Sequence, residues 1–191
     1  MYLTDALLDD AVRRWGEPRR IAYAAEISER ERDLIRHSRR DERSHDVTLL
    51  IERAGRYAVI AKPQYPPGAW RAPGGGVVRG EALEAGALRE ALEETGLAVT
   101  LERYLLHLDA RFTCGADLEP WHTEVFLARA ASDALAPRDT HEIAAARWAT
   151  RDELQGPIRD VLLGTGRALF GYRVALTDWA FARLDELAIS R

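Results

Sequence analysis

The sequence predicts an α+β fold in which a mixed β-sheet lies between helices. The first observation is the order of the elements, because several strand-like runs precede a central helix, further strands follow it, and helices end the chain. The second is length, since 191 residues suit one domain with a buried core. The third is the intensely charged run of residues 28–46, which we interpret as an exposed segment ahead of the main domain. We therefore predict a helical, charged N-terminal extension over residues 1–44 and the main domain over residues 45–191.

The extension contains three predicted segments. Residues 4–15 have the apolar spacing of a short amphipathic helix, and residues 21–25 form a short apolar run that suits a strand. Residues 28–46 form an exposed helix or loop whose arginines are interpreted as a solvated face, with phosphate or partner binding as the alternative. His37 and His45 lie in this run without metal-ligand companions, so neither is assigned a role.

The rest of the chain alternates strand patterns with turn formers. A hairpin turn at residues 53–56 and a proline-rich loop at residues 63–70 separate the early elements. The loop at residues 113–122 contains Trp121 and His122, which are candidates for bordering a substrate. The predicted strands cover residues 46–52, 57–62, 97–101, 104–112, 123–130 and 144–149. The predicted helices after the central one cover about residues 151–163 and 175–188.

The central helix, predicted over residues 81–95, carries an acidic face. At 100° per residue, Glu90, Glu93 and Glu94 fall on one arc, and Gly96 follows at the position of a left-handed C-terminal cap. We predict a core face on the opposite side, formed by Ala85, Leu88, Ala91 and Leu92. The simplest interpretation of the acidic face is a solvated stripe. However, like charges at this spacing repel by a few tenths of a kcal/mol per pair, and no Lys separates them.

A glycine loop, residues 72–76, leads into this helix. Its glycines allow the backbone to approach a ligand closely, and clustered carboxylates are ligands that Mg²⁺ accepts together with substrate phosphates. The combination predicts a site for a metal and a phosphate.

This stretch resembles the Nudix box, G-x5-E-x7-R-E-U-x-E-E-x-G-U, where U is apolar. A chance match to the whole pattern in a chain of this length is on the order of one in a million. The resemblance implies an α/β/α sandwich and hydrolysis of a nucleoside diphosphate linked to another group, with Mg²⁺ or Mn²⁺ as cofactor. The matching positions are Gly75, Glu81, Arg89, Glu90, Ala91, Glu93, Glu94, Gly96 and Leu97.

The resemblance also implies a role for each matching residue. Glu93 and Glu94 would be metal ligands, and Glu90 a ligand or the base that takes a proton from water. Arg89 would orient the glutamates through paired hydrogen bonds, and Glu81 would buttress Arg89.

Residues outside the pattern complete the predicted site. The Gly74 carbonyl would give the metal a backbone ligand, and the backbone at Gly75 would lie against the substrate. The basic residues near the glycine loop that are candidates for binding phosphates are Lys62 and Arg71, and also Arg53 and Arg79. The residue before Pro73 is Ala72, where the family usually has a larger apolar side chain, a departure that concerns packing more than chemistry.

A further acid is expected downstream, in a loop just before a strand that ends in Trp. Glu142, six residues before Trp148, fits that place as an additional metal ligand or base. The alternative is that Glu142 is an ordinary surface carboxylate. Glu119 and Glu124 are weaker candidates for the same role.

Composition limits the class of partner. The formal net charge of −4 favours a small nucleotide over nucleic acid, and no run approaches the length of a membrane span. Cys114 is the only cysteine, which excludes an internal disulfide and suits a reducing compartment. We therefore expect a cytoplasmic protein, with the N-terminal extension a candidate surface for packing or homodimer formation.

Two alternatives to a hydrolase remain. A Nudix-like module that binds a nucleotide without cleaving it would be expected to lose its glutamates, yet none is lost here. An isomerase of the isopentenyl type would need a cysteine in a recognisable catalytic context, which Cys114 does not have. Family signatures for particular substrates, such as the proline typical of ADP-ribose enzymes, are absent from residues 111–113, so the substrate is left open.

Overall fold

The computed structural model describes residues 4–39 and 45–189, and the predicted boundary at residue 44 lies outside them. The strands are β1 (Arg19–Glu26), β2 (His45–Arg53), β3 (Arg56–Ala61), β4 (Val99–Cys114), β5 (Asp117–Ala130) and β6 (Ala145–Thr150). The helices are α1 (Asp5–Trp15), α2 (Glu29–Ser38), α3 (Leu83–Thr95), α4 (Arg151–Gln155), α5 (Pro157–Gly164) and α6 (Ala168–Ile189).

The strands form one mixed sheet in the order β1-β4-β5-β2-β3-β6. The pairs β1/β4 and β2/β5 are parallel, and the other neighbours are antiparallel. Apolar side chains cover both faces of the sheet, with α1 and α3 on one face and α2, α4, α5 and α6 on the other. The predicted α/β/α sandwich with a mixed sheet is thus confirmed. Among the described residues, no helix is both long enough and apolar enough to cross a membrane.

The N-terminal elements are part of this sandwich. Strand β1 pairs along its whole length with β4 and forms one edge of the sheet. Helix α1 packs beside α3, where Trp15 meets the Phe126 ring edge-on at 5.7 Å and Arg14 pairs with Glu84 at 2.6 Å. The division of the chain at residue 44 stays a prediction, but residues 5–26 pack into the same core as the later elements.

The strand prediction is wrong between residues 97 and 122. The two strands predicted there are one continuous strand, β4, because two bulges let it keep pairing with β5. The predicted loop at residues 113–122 is mostly the start of β5, and the chain turns tightly at Gly115, whose φ is 58°. The turn-forming residues between Asp117 and Pro120 are held in the ladder by pairing with β4, so tertiary context overrides their local preference.

The C-terminal helices also differ from the prediction. The helix expected over residues 151–163 is broken at Gly156, and Pro157 starts α5 because its missing N–H costs nothing at that position. The last helix begins at Ala168, seven residues earlier than predicted, and its first two turns bury Phe170 and Tyr172 against the sheet.

The predicted core face of α3 is correct for Ala91 and wrong for its other three residues. Ala85 is exposed and Leu88 and Leu92 are only half-buried, whereas Leu83, Ala87 and Ala91 pack on the sheet. The carboxylate of Glu94 is buried on this same inward side. The inward side of the helix therefore carries a buried carboxylate. This is tolerable only because cationic and backbone donors contact it there.

Candidate active site

The glycine loop runs beside β2 and is held by backbone hydrogen bonds. The amide of Val47 donates to the Gly75 carbonyl and the amide of Leu49 donates to the Pro73 carbonyl, each at 2.9 Å. Gly74 adopts a φ of 146°, and a Cβ at this position would overlap the Val47 carbonyl. Glycine is therefore required where the loop meets the strand, and the loop is fixed beside β2.

Arg89 joins the acids of α3 to each other and to the loop. Its Nε and Nη2 donate to the two carboxylate oxygens of Glu81, each at 3.0 Å. Its Nη1 donates to Glu90 at 2.8 Å and to Glu93 at 3.0 Å, and Nη2 also donates to the Gly76 carbonyl at 2.8 Å. These bidentate and shared contacts hold three carboxylates in fixed directions.

Glu94 forms a buried pair with Arg71. The Nη2 of Arg71 donates to Glu94 at 3.0 Å, and the Gly74 amide donates to the other carboxylate oxygen at 2.6 Å. Arg71 also donates to the carbonyls of Ala72 and Gly74, at 2.8 and 3.2 Å, and its side chain is 4% exposed. Arg71 thus donates its hydrogen bonds to groups within the protein. The Gly74 carbonyl, a predicted metal ligand, accepts one of these hydrogen bonds. The predicted phosphate-binding role of Arg71 and the ligand role of Gly74 both stay predictions.

Glu90 is the most perturbed acid in the group. Burial, with the neighbouring carboxylates of Glu94 and Glu93, raises the pKa of Glu90 to about 7 against the opposing hydrogen bond from Arg89. A Cβ on Gly75 would overlap the Glu90 carboxylate, so this glycine makes room for the acid. By contrast, hydrogen bonds from Arg89 and from the Val78 amide lower the pKa of Glu81 although burial opposes them. Two carboxylates on one arginine therefore have different proton affinities.

These groups line a polar cavity of about 450 Å³. Glu81 lies behind Arg89 and outside the lining. The lining includes the predicted residues Lys62, Arg71, Gly74, Gly75, Arg89, Glu90, Glu93, Glu94 and Glu142, and also Trp121. Residues not predicted for the site also line it, namely His37, Ser38, Asp46, Gly76, Asp139 and Arg173.

The loop after β5 brings Glu142 to the cavity. The amides of Arg138 and Asp139 both donate to the Glu93 carbonyl, at 2.9 and 3.0 Å, which ties this loop to the last turn of α3. Glu142 pairs with Lys62 at 2.6 Å, and its side chain is 64% exposed. A carboxylate with this exposure can move toward a bound cation. Glu142 is therefore suitably placed to be a metal ligand, and that role stays a prediction.

The weaker candidates lie elsewhere. Glu119 is buried and is bound by Arg36 at 2.6 Å and by Arg39. Glu124 is buried beneath Tyr104 and His107. Arg53 donates to the Ala130 carbonyl at the hairpin end of β2, and none of these residues lines the cavity.

Comparison with known proteins identifies the family. The family model described as the NUDIX domain matches residues 38–164, about two thirds of the chain. The chain belongs to the Nudix family. This confirms the predicted family and, with it, the prediction of a Nudix-type enzyme.

The chain is also similar to solved structures of other proteins. A NUDIX hydrolase from Nitrosomonas europaea is 21% identical, with 58% of this chain and 59% of that chain covered and a TM-score of 0.46. A MutT NUDIX hydrolase from Burkholderia pseudomallei is 31% identical, with 57% and 84% covered and a TM-score of 0.45. A UDP-X diphosphatase is 17% identical, with 70% and 72% covered and a TM-score of 0.47. The match thus spans less than two thirds of the Nitrosomonas chain.

The Nudix carboxylates fit a hard divalent cation. Glu90, Glu93 and Glu94 converge on one cavity, where burial and then the charges of Glu94 and Glu93 raise the pKa of Glu90. Oxygen donors of this kind suit Mg²⁺ or Mn²⁺, which hold few carboxylates and complete their coordination with water and phosphate oxygens. A cation among these acids would remove their repulsion.

Two residues of the Nudix site, Asp46 and Arg173, could not have been found from sequence. Arg173 donates to Asp46 at 3.2 Å, and Asp46 also accepts from Thr123 at 2.5 Å. The pair joins β2 to α6 across most of the chain, and no local pattern marks either residue. Asp139 has a weak signal, since its carboxylate caps the amides of His141 and Glu142 at 3.0 Å, as a D-x-x-E turn would.

The proton on Glu90 gives a pH prediction for the metal-free Nudix protein. Its folded-state pKa of about 7 exceeds the ordinary value of 4.5, so between these values the folded state binds more protons than the unfolded state. Stability must then fall as pH rises through this window. We expect the melting temperature of the wild type with chelator to fall more steeply over this range than that of Glu90→Gln, as followed by circular dichroism. Equal slopes in the two proteins would contradict the raised pKa of Glu90.

Proposed function

We propose that this protein is a divalent-metal-dependent hydrolase that cleaves the diphosphate bond of a nucleoside diphosphate linked to another group. The observation that carries the proposal is the convergence of Glu90, Glu93 and Glu94, ordered by Arg89, on a cavity bordered by a glycine loop. Transfer of a phosphoryl-type group requires positioning and charge neutralisation more than covalent chemistry, and this cavity offers both.

The chain's own residues have distinct tasks in this reaction. A cation held by the glutamates and the Gly74 carbonyl would supply charge neutralisation of the phosphate oxygens and acidify water. Glu90, whose pKa lies near neutral pH, takes a proton from the attacking water. Lys62 and Arg173 face the same cavity and offer positive charge to the phosphates. Arg89 holds the glutamates in position throughout the reaction.

A second cavity supports an aromatic group at one end of the substrate. This space of about 200 Å³ adjoins the acidic cavity and shares Lys62, Arg71, Trp121 and Arg173 with it. Its other walls are largely apolar and aromatic, and come from α2, α6, β4 and the proline-rich loop; they include Leu34, Ile35, Tyr65, Phe112, Phe170 and Tyr172. A planar base stacks well on such walls while its phosphates reach the carboxylates. A nucleotide is therefore the small-molecule partner that we propose, and nucleic acid is not.

The test is a phosphate-release screen with purified protein. It covers nucleoside di- and triphosphates, nucleotide sugars, ADP-ribose and dinucleoside polyphosphates, each with Mg²⁺ or Mn²⁺. Glu93→Gln is the matched control because Glu93 is half-exposed and contacts only Arg89 among the side chains described. Metal-dependent release by the wild type and its loss in Glu93→Gln support the hydrolase. Binding of a nucleotide without release would instead favour the non-cleaving Nudix module.

Glu142 provides a separate prediction. If Glu142 helps to hold the cation, Glu142→Gln should raise the Mg²⁺ concentration needed for half-maximal activity by about tenfold, since one charged ligand is lost. Its exposure means that the melting temperature should stay unchanged. The measurement is a Mg²⁺ titration of the rate, and an identical titration in wild type and variant would leave Glu142 as a surface carboxylate.

Two further properties remain proposals of the same kind. Cytoplasmic location and homodimer formation are consistent with the composition and with the exposed faces of α1 and α2, and size-exclusion chromatography with light scattering would measure the latter.

A further inference from the structure

A second cluster of metal-ligating side chains lies on the sheet, away from the carboxylate cavity. His107 and Asp109 are alternate residues of β4, and His122 stands directly opposite Asp109 on β5. One ligand atom from each of the three lies within 4.8 Å of those from the other two. None of the three lines the cavity that contains Glu90. Trp121 faces that cavity, and His122, the next residue of the strand, points to the other face of the sheet.

The buried histidine is oriented as a metal ligand would be. His107 is 5% exposed, and its Nδ1 is 3.0 Å from Glu124, which stands opposite it on β5 and also accepts from the Tyr104 hydroxyl. Because the carboxylate accepts a hydrogen bond, the neutral form of His107 carries its proton on Nδ1 and its lone pair on Nε2. That Nε2 faces Asp109 at 3.5 Å. A histidine whose second nitrogen donates to a carboxylate is the usual arrangement behind a bound transition metal.

His122 supplies the second, independent observation. Its Nδ1 is 2.7 Å from the Asp109 carboxylate, but the contact lacks hydrogen-bond geometry, and within the described residues this buried nitrogen has no hydrogen-bond partner. If His122 is protonated, this contact is an ion pair; if its Nδ1 instead carries a lone pair, a cation between the two groups would bind both. The spacings of 3.5 and 2.7 Å bracket the roughly 3.4 Å that separates two ligands of a tetrahedral zinc ion.

We propose that His107 Nε2, Asp109 and His122 form a binding site for a transition-metal divalent cation, with zinc as the best match. Two imidazoles and one carboxylate favour Zn²⁺ and its neighbours, whereas Mg²⁺ prefers oxygen ligands. Asp109 and Glu124 together balance the charge of one divalent ion. The ion joins β4 to β5 through residues on rigid strands and leaves a fourth position to water, because Asp109 is 55% exposed.

The surface around the cluster is open enough for an ion to enter. A depression of about 670 Å³ runs over this face of the sheet, between Asp109 and His122 on one side and the small side chains of Ala22 and Ala24 of β1 on the other. This site does not depend on the proposed hydrolase activity, so the two proposals can fail separately.

The test measures zinc binding by the full chain in the presence of excess Mg²⁺, added to compete with zinc for the carboxylate cavity. Equilibrium dialysis with elemental analysis gives the stoichiometry, and the visible absorption of Co²⁺ as a substitute reports nitrogen ligation and coordination geometry. The variants are His122→Gln and Asp109→Asn, chosen because both side chains are more exposed than His107. The controls are His141→Gln, an exposed histidine outside the cluster, and Glu93→Gln in the carboxylate cavity.

We expect one equivalent of zinc in the wild type and in both controls, and binding weakened by at least about tenfold in His122→Gln and in Asp109→Asn. Zinc should also raise the melting temperature of the wild type but not that of the two cluster variants. Equal zinc binding in all five proteins, or loss of binding in Glu93→Gln alone, would overturn the proposal. So would a wild type that binds no zinc beside Mg²⁺.

Discussion

Replacing Glu94 with Gln is expected to lower kcat by about 100-fold or more and also to destabilise the fold. The rate should fall because a ligand charge is removed from the proposed cation site, where charge stabilisation is worth several kcal/mol and each 1.4 kcal/mol changes the rate about tenfold. Stability should fall because Glu94 is buried and accepts from Arg71 and from the Gly74 amide. Steady-state kinetics and thermal unfolding measure the two effects.

Glu93→Gln separates these effects. Glu93 projects to the same cavity, but its side chain is 45% exposed and pairs with Arg89 at 3.0 Å. The Glu93→Gln variant should lose activity to a similar extent as Glu94→Gln, with little change in its melting temperature. If Glu94→Gln unfolds at the wild-type temperature, the buried pair is weaker than its geometry indicates. If Glu93→Gln retains full activity, the assignment of the cation site to this face of α3 is wrong.

The largest stability effect is expected for Arg71→Met. This change leaves the Glu94 carboxylate buried without its cationic partner, which typically costs about 3–5 kcal/mol. That cost is a large share of the roughly 5–15 kcal/mol by which a domain is stable. Denaturant unfolding would measure it, with Arg53→Met as the matched control because Arg53 donates only to a backbone carbonyl.

A double variant tests whether loss of the Arg71–Glu94 pair causes the loss of stability. In Arg71→Met with Glu94→Gln the uncompensated charge is gone, so part of the lost stability should return. Additive losses from the two single changes would show that Arg71 stabilises the loop through Ala72, Gly74 and Tyr65 and not through Glu94.

The sequence predicted the residues of the box that meet around Arg89, because these residues are close together in the chain. Arg89, Glu90 and Glu93 lie within five residues of α3, whose helical period fixes their directions, and Glu81 lies two residues before that helix. Their arrangement around Arg89 follows from that spacing. The glycines upstream were likewise informative, since a φ of 146° at Gly74 admits few other residues.

Predictions that depended on local hydrophobicity were less reliable. The leucines Leu88 and Leu92 indicated a core face for α3, yet the helix packs through Ala87 and Ala91 beside its buried Glu94. A carboxylate faces inward only when a partner such as Arg71, 23 residues away, meets it there, and a helical wheel contains no such information. The prediction of a loop at residues 113–122 was wrong for a similar reason, since pairing with β4 holds most of this segment as a strand.

The sequence by itself determined the family, the α+β class and the acids of the box, because these depend on short-range spacing and on the period of one helix. Only the tertiary structure decided which residues surround them. Asp46 and Arg173 meet in the cavity, and His107, Asp109 and His122 meet on the opposite face of the sheet, through strand pairing and helix packing between distant segments. Such contacts arise from burial of the whole core, and no local pattern in the chain records them.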